Sequence, residues 1–365
     1  MGNNPEFFSE VVYLRAIAIL AVISIHVSAY FTKMDISNFL TFFYMSVNTF
    51  SHFAVPLFVC ISGFVLYNKY RGSYSLKIFY KKRLLSVVPQ YTIFSALGIL
   101  FMYAGYKSGR FPYFTIKDII YQYLTGTAYY HLWFFVIIIQ LYVLYPFIEK
   151  IFSKSLYSYK IFLILIFVLI VQILYQIFFI KNMVLIGAAT LFLGYIFYFV
   201  LGMYVRSHYL DVKNAVMTLS HPYILFLAFL SATILGIWIQ FIEYFKSLNQ
   251  QLTQIYIWIY GIATPLYYTL IFILCLHISL KISTTIPNKI TKFIKIIGNY
   301  SFGIYLIHAF ILDVIASLLL PKFGFDMNNW LFYPIVFTFV LSSSLALAYI
   351  INKIPYSEYI IGSVR

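Results

Sequence analysis

Residues 11–30 read VVYLRAIAILAVISIHVSAY, an apolar run that nevertheless contains an arginine and a histidine. A helix crosses a bilayer with about 20 predominantly apolar residues, so the run is long enough to span. Ionisable groups inside a span are costly, and by default they mark a functional site. Arg15 and His26 are eleven residues apart. At about 100° and about 1.5 Å per residue they share one helix face to within roughly 20° and lie about 16 Å apart along the axis. One helix thus aligns a fixed cation near its start with a proton-transfer group deeper in the membrane. The plain structural alternative has Arg15 reaching back to the headgroups and His26 bonded to a neighbouring helix.

The rest of the chain is of the same kind. Of 365 residues 63% are hydrophobic and 10% charged, with a mean hydropathy of +0.90. Soluble domains carry about 25% charged residues, so the composition excludes one and points to an all-α, polytopic transmembrane helical bundle. Ten spans are expected, at about 11–31, 41–67, 84–104, 131–148, 161–180, 183–204, 221–242, 255–280, 296–319 and 330–351. Alternate connections hold the positive charge, with seventeen lysines and arginines on one side against seven on the other. That bias puts the basic connections and both termini in the cytoplasm. It also accounts for the net charge of +15, so no nucleic acid is called for. The expectation is one membrane domain over residues 1–365, without a cleaved leader or a fused soluble domain. The longest outer connection, Gly105 to Tyr130, reads as an interfacial helix with a cap over a cavity. Cys60 and Cys275 sit in apolar spans and read as buried thiols.

Polar groups inside the spans are few. Asp313 is the one acidic residue well inside a span, and His26, His277 and His308 are the histidines there, while His131 opens the fourth span. Convergent metal-ligand spacing is missing, so no metal is expected. Nucleophile-elbow and phosphate-loop motifs are missing too. Four further stretches stand out. PLFVCISGFVLY (residues 56–67) carries a Ser62-Gly63 pair suited to close helix packing. FYKKRLLSVVPQY (79–91) puts Lys81, Lys82 and Arg83 at a cytoplasmic helix start, suited to lipid headgroups or to the phosphates of an anionic donor. HLWFFVIIIQLYVLYP (131–146) puts His131 and Trp133 at the outer interface, where a tryptophan ordinarily anchors. GNYSFGIYLIHAFIL (298–312) carries His308 deep in the membrane. His277 reads as structural, and Ser62 and Ser301 as packing residues.

Together these landmarks resemble the acyltransferase 3 family of integral membrane acyltransferases. The matching features are R-x10-H (Arg15, His26), the PLFxxxSGF segment, the basic loop ending Pro89-x-Tyr91, the HLWF start and G-x-x-S-[FY]-G-I-Y-L-x-H (Gly298 to His308). They fall in order over residues 15–308. One departure is Ser86, where many relatives carry a second arginine. The resemblance implies a multi-pass protein of the bacterial plasma membrane that takes an acyl group from cytosolic acyl-CoA, commonly acetyl-CoA, to a hydroxyl of a carbohydrate acceptor. Arg15, Lys82, Arg83 and Tyr91 would hold the donor. His26 would act as general base or transient acyl carrier, with Arg15 and His308 in the catalytic group. His308 would relay a proton or orient substrate. His131, Trp133 and Asp313 would bind the acceptor, with Asp313 orienting His26 from across the bundle. Expected partners are acyl-CoA, the carbohydrate, the lipid bilayer and a separate glycan synthesis or transfer protein. The competing expectation is a polysaccharide exporter or flippase, which calls for a polar cavity with charges along several spans.

Overall fold

The computed structural model describes residues 7–30, 39–72, 74–109, 115–153, 158–182, 190–218, 250–284, 288–316 and 329–364. In chain order its helices are α1 (Ser9–Ser28), α2 (Phe39–Ser51), α3 (Ala54–Tyr70), α4 (Leu76–Leu85), α5 (Val88–Lys107), α6 (Ile116–Thr125) and α7 (Trp133–Ser153). There follow α8 (Ser158–Asn182), α9 (Ile196–Ser207), α10 (Tyr209–Thr218), α11 (Gln250–Thr284), α12 (Lys289–Val314), α13 (Phe332–Ile351) and α14 (Glu358–Ile361). The protein is an all-α polytopic bundle.

Among the described residues eight helical stretches are long and apolar enough to span, against the ten expected. Two differences account for this. The expected span at 183–204 appears as the shorter helix α9, and that at 221–242 lies outside the described residues. The sequence also has breaks inside two spans. Residues 52–53 separate α2 from α3, and Ser86-Val87 separate α4 from α5, where Pro89 sits in the first turn and has no N–H to leave unpaired.

Helix α1 is the centre of the bundle. It is the most buried of the spans, with 72% of its apolar window inside the protein, and it touches α2, α3, α11, α12 and α13. Its approach to α12 is set by Gly298, where a Cβ would overlap the carbonyl oxygen of Val12. Contacts at Val12–Gly298 and His26–His308 show that the two helices run parallel, so residues that follow each contact point climb the bundle together. Helices α3 and α9 meet in the same way. A Cβ at Gly63 would overlap the Phe199 carbonyl, and one at Gly202 the Cys60 carbonyl. Small residues at such contacts are how membrane helices gain packing without a hydrophobic driving force between them.

The outer connection does more than cap. Helix α6 starts with a capping box between Thr115 and Asp118 and ends at Gly126 in the left-handed region (φ 75°). Those hydrogen bonds from Thr115 hold the exposed Asp118 carboxyl below its ordinary range. The helix leans back along α5: Tyr91 donates to the Tyr123 carbonyl, and Thr92 pairs with the Tyr123 hydroxyl at 2.8 Å. Tyr91 is sixteen residues, about 24 Å, before the end of α5 at Lys107. The connection therefore re-enters the depth of the bundle and delivers residues 128–132 to its middle. Non-helical backbone at such depth is tolerated where protein covers it. Ala128 packs on Gly98 of α5, and Leu132 is fully buried.

Cys60 and Cys275 are free, buried thiols. His277 is buried, with Nδ1 3.1 Å from the Val216 carbonyl, tying α11 to α10.

Replacing Gly298 by alanine pushes α12 off α1, and overpacking of this kind costs about 1–3 kcal/mol. Gly298→Ala should lower the thermal midpoint of the protein in detergent. An unchanged midpoint would show that the helices do not meet there.

Candidate functional site

Two neighbouring features gather the polar residues of the bundle. The first is a cavity of roughly 200 Å³ open toward the face that holds α4 and the residues after α14. Arg15 of α1, Ser62 of α3, Arg83 of α4, Ser86, Tyr142 of α7 and Asn299 and Ser301 of α12 supply its polar lining. Phe58, Phe134, Phe135, Phe302 and Tyr305 supply its aromatic lining, and Gly362 and Ser363 form part of its wall. Tyr142 is hydrogen-bonded to Ser62 and lies within electrostatic reach of Arg83 and Arg15. The Arg83 guanidinium stacks over the Tyr70 ring at 5.3 Å, and its buried Nε has no hydrogen-bond partner among the described residues. A buried donor without an acceptor is costly, so this nitrogen is suited to an anionic oxygen from a ligand.

The second feature is a group of three imidazoles. The His26 ring centre is 5.1 Å from that of His308, and His308 is 5.3 Å from His131. Helix α1 supplies the first and α12 the second. The third comes from the re-entrant connection, immediately before α7. His308 Nδ1 is 2.7 Å from the Tyr305 carbonyl and 3.2 Å from that of Ile304. Carbonyls only accept, so this assigns the proton to Nδ1 and leaves Nε2 with a lone pair. That Nε2 is buried and unpartnered. His131 is 1% exposed, and neither ring nitrogen makes a well-formed hydrogen bond, the nearest backbone acceptor being the Leu306 carbonyl. Among the described residues no group of three or more His, Cys, Asp or Glu side chains is arranged to hold a metal ion.

Away from the arginines, His26 is half-buried and its ring is 5.0 Å from that of Tyr130, which is 43% exposed. Asp313 accepts from the Tyr129 hydroxyl, and Tyr129 stacks on Phe310 with 4.1 Å between centres. The Tyr130 hydroxyl donates to the Ala309 carbonyl at 3.2 Å. The exposed His52 holds the carbonyl of Asn48 at 2.8 Å on the adjoining α2.

The residues singled out in the sequence divide as follows. Arg15 and Arg83 come together at the cavity, and His26, His131 and His308 come together beyond it. Asp313 lies five residues past His308, about 140° around α12, bound to Tyr129. Three do not join these groups. Lys82 is exposed on α4 while its neighbour Arg83 faces the cavity. Tyr91 is buried away from the cavity, its ring 5.1 Å from Tyr123 and 5.7 Å from Phe135. Trp133 packs on Tyr195, 6.0 Å between centres. Conversely, Ser62 and Ser301 line the cavity as well as packing, and Tyr142, Asn299 and Tyr305 join it without having been singled out. The helical spacing of Asn299, Ser301 and Tyr305 after Gly298 was the one available signal for them.

Residues 8–349 match the family described as "Acyltransferase domain". A Staphylococcus aureus protein named "Probable poly-beta-1,6-N-acetyl-D-glucosamine export protein" is 27% identical over 366 residues, covering 97% of this chain and 95% of the relative. A Staphylococcus epidermidis protein of the same name is 29% identical over 238 residues, covering 63% of this chain and 61% of the relative. No solved structure matches the chain.

Nitrogen-15 histidine spectra of the protein in detergent should report His308 as the Nδ1-protonated tautomer, with the assignment made by loss of the signal in His308→Asn. An Nε2-protonated His308 would contradict the placement of its lone pair.

Proposed function

We propose that this chain, which belongs to the acyltransferase family matched over residues 8–349, moves an acyl group from cytosolic acyl-CoA to a hydroxyl of a sugar. Acetyl-CoA is the donor taken as first choice. The acceptor is a cell-surface or exported polysaccharide, and the protein is a multi-pass protein of the bacterial plasma membrane with its basic face in the cytoplasm. The observation that carries this reading is the pairing of a two-arginine cavity with three imidazoles across one residue, Tyr305.

CoA is a polyanion with a long thin arm. Its phosphates suit Arg83 and Arg15, with Ser86, Asn299 and Ser301 as further polar contacts. Its arm runs along α12, and Asn299 to Tyr305 is a climb of about 9 Å. The sugar enters from the opposite face, where Tyr30 and the exposed Tyr130 present hydroxyls and Asp313, held by Tyr129, presents a carboxylate acceptor. The acceptor oxygen attacks the thioester carbonyl carbon while its proton passes to His26. The tetrahedral intermediate then expels CoA as a thiolate, which takes that proton back. His308, its ring centre 5.1 Å from that of His26, stands beside it to relay that proton. Carbohydrate, acyl-CoA and bilayer are thus the partners, with a glycan synthesis or transfer protein handing over the polymer.

The names of the staphylococcal relatives favour a second reading, polysaccharide export. Translocation of a polymer calls for a continuous polar path. Among the described residues the two-arginine cavity is small and ends at aromatic side chains, which favours transfer.

Purified protein in detergent should turn over acetyl-CoA. His26→Ala should lower the rate by about 10²–10⁴-fold, the range for loss of a general base, while CoA still binds. Arg83→Ala and Arg15→Ala should weaken CoA binding by about tenfold or more each, as loss of a charged hydrogen bond does. Wild-type protein that neither binds nor turns over any acyl-CoA, with polymer retained inside cells lacking it, would establish export instead.

A further inference from the structure

None of the three histidines lines the two-arginine cavity. Tyr305 does line it, and it also touches the histidine group. Its ring centre is 5.4 Å from that of His131 and 5.8 Å from that of His308. Its hydroxyl donates to the His131 carbonyl, a buried hydrogen bond that ties α12 to the re-entrant connection. Its own carbonyl holds His308 Nδ1 at 2.7 Å. Phe134 and Phe135 brace the ring from α7, with centres 5.5 and 5.9 Å away. The residue is 5% exposed. One aromatic ring, pinned at its hydroxyl and braced from α7, therefore stands between a cavity open to one face of the bundle and a histidine group that reaches the other through the half-buried His26.

The geometry points to Tyr305 as the partition of the protein: a positioning residue that keeps the two compartments apart and fixes how long an acyl group can pass. The inference rests on the acyl-transfer reading for the acyl length alone. The separation of compartments holds for any ligand. A thioester that starts at Arg15 and Arg83 has to turn the Tyr305 ring aside to bring its carbonyl to His26. A two-carbon acyl group passes a ring that swings about its hydroxyl anchor. Longer chains have to clear Phe134 and Phe135, which line the cavity and brace the ring. The closed ring also keeps water of the opposite face from the waiting thioester, which limits hydrolysis. Its hydroxyl bond makes closing specific to one position, since a ring without it has no anchor on the connection that carries His131.

The separation is tested without any assay of transfer. A thiol is introduced by His26→Cys in a background of Cys60→Ala and Cys275→Ala, and a membrane-impermeant thiol reagent is applied to vesicles of either orientation. With Tyr305 present, the thiol should be labelled from the face opposite the arginines and protected from the arginine side. Tyr305→Ala should raise labelling from the arginine side by about tenfold or more, as reactivity follows access. Tyr305→Phe should give an intermediate rise. Tyr305→Leu serves where the alanine variant does not fold. Labelling from the arginine side that is as fast with Tyr305 as without it would overturn the partition.

The length role is tested with His26 intact, by comparing acetyl-CoA with hexanoyl-CoA. Tyr305→Leu should raise the hexanoyl-to-acetyl ratio of kcat/KM by about tenfold or more, given that a methylene or two in a pocket is worth that much. A ratio unchanged within about twofold would overturn it. Wild-type turnover of acetyl-CoA in the same experiment reports separately on the acyl-transfer reading, so the two cannot fail unnoticed together.

Discussion

Everything in this bundle depends on the approach of α12 to α1 at Gly298. The missing side chain lets the α12 backbone reach the Val12 carbonyl, and the parallel course of the two helices does the rest. Three residues on from the contact, Arg15 and Ser301 line one cavity; further up, His26 and His308 face each other at 5.1 Å. A wider spacing would separate the guanidinium from Asn299 and the two imidazoles from one another at once. The chemistry of the site is therefore tied to packing at a position that takes no part in it. Such ties are expected where small residues, and not hydrophobic collapse, hold helices together.

The second constraint comes from the chain between α5 and α7. By leaning back along α5, α6 brings the non-helical residues 128–132 to mid-bundle, where they supply both His131 and its backbone carbonyl. That carbonyl anchors Tyr305. Three separate parts of the chain thus meet at one ring: α12 provides it, the re-entrant connection pins it and α7 braces it. Charge follows the same division. The arginines stand on one side of Tyr305 and the Asp313 carboxylate on the other, so the two sides carry opposite charge.

Much of this was legible in the sequence, and the parts that were not have physical reasons. The spans, the basic side and the alignment of Arg15 with His26 follow from hydropathy, charge and helical period. The pairing of those residues with Arg83 and His308 was reached through a family resemblance, which the family match over residues 8–349 now supports. The position of Tyr91 was not legible. Its motif places it beside the basic loop, but its hydroxyl is taken by Tyr123 from a connection whose return into the bundle leaves no periodic signal. Lys82 and Arg83 are adjacent, and only the helix phase of α4 decides which faces the cavity. Trp133 meets α9 territory at Tyr195, a contact set by tertiary packing. Tyr305 was passed over because an aromatic residue in an apolar span looks like any other until its two sides are seen.

On the acyl-transfer proposal, one ligand path runs from the arginines, past Tyr305, to the imidazoles. The most direct measurement is an electron-microscopy structure of the protein with a non-hydrolysable thioether analogue of acetyl-CoA. The account predicts phosphate density at Arg83 and Arg15, the arm along α12, and the acyl end beside the Tyr305 ring toward His26 and His308. Density for the analogue elsewhere, or a cavity that stays closed to it at saturating concentration, would contradict the account.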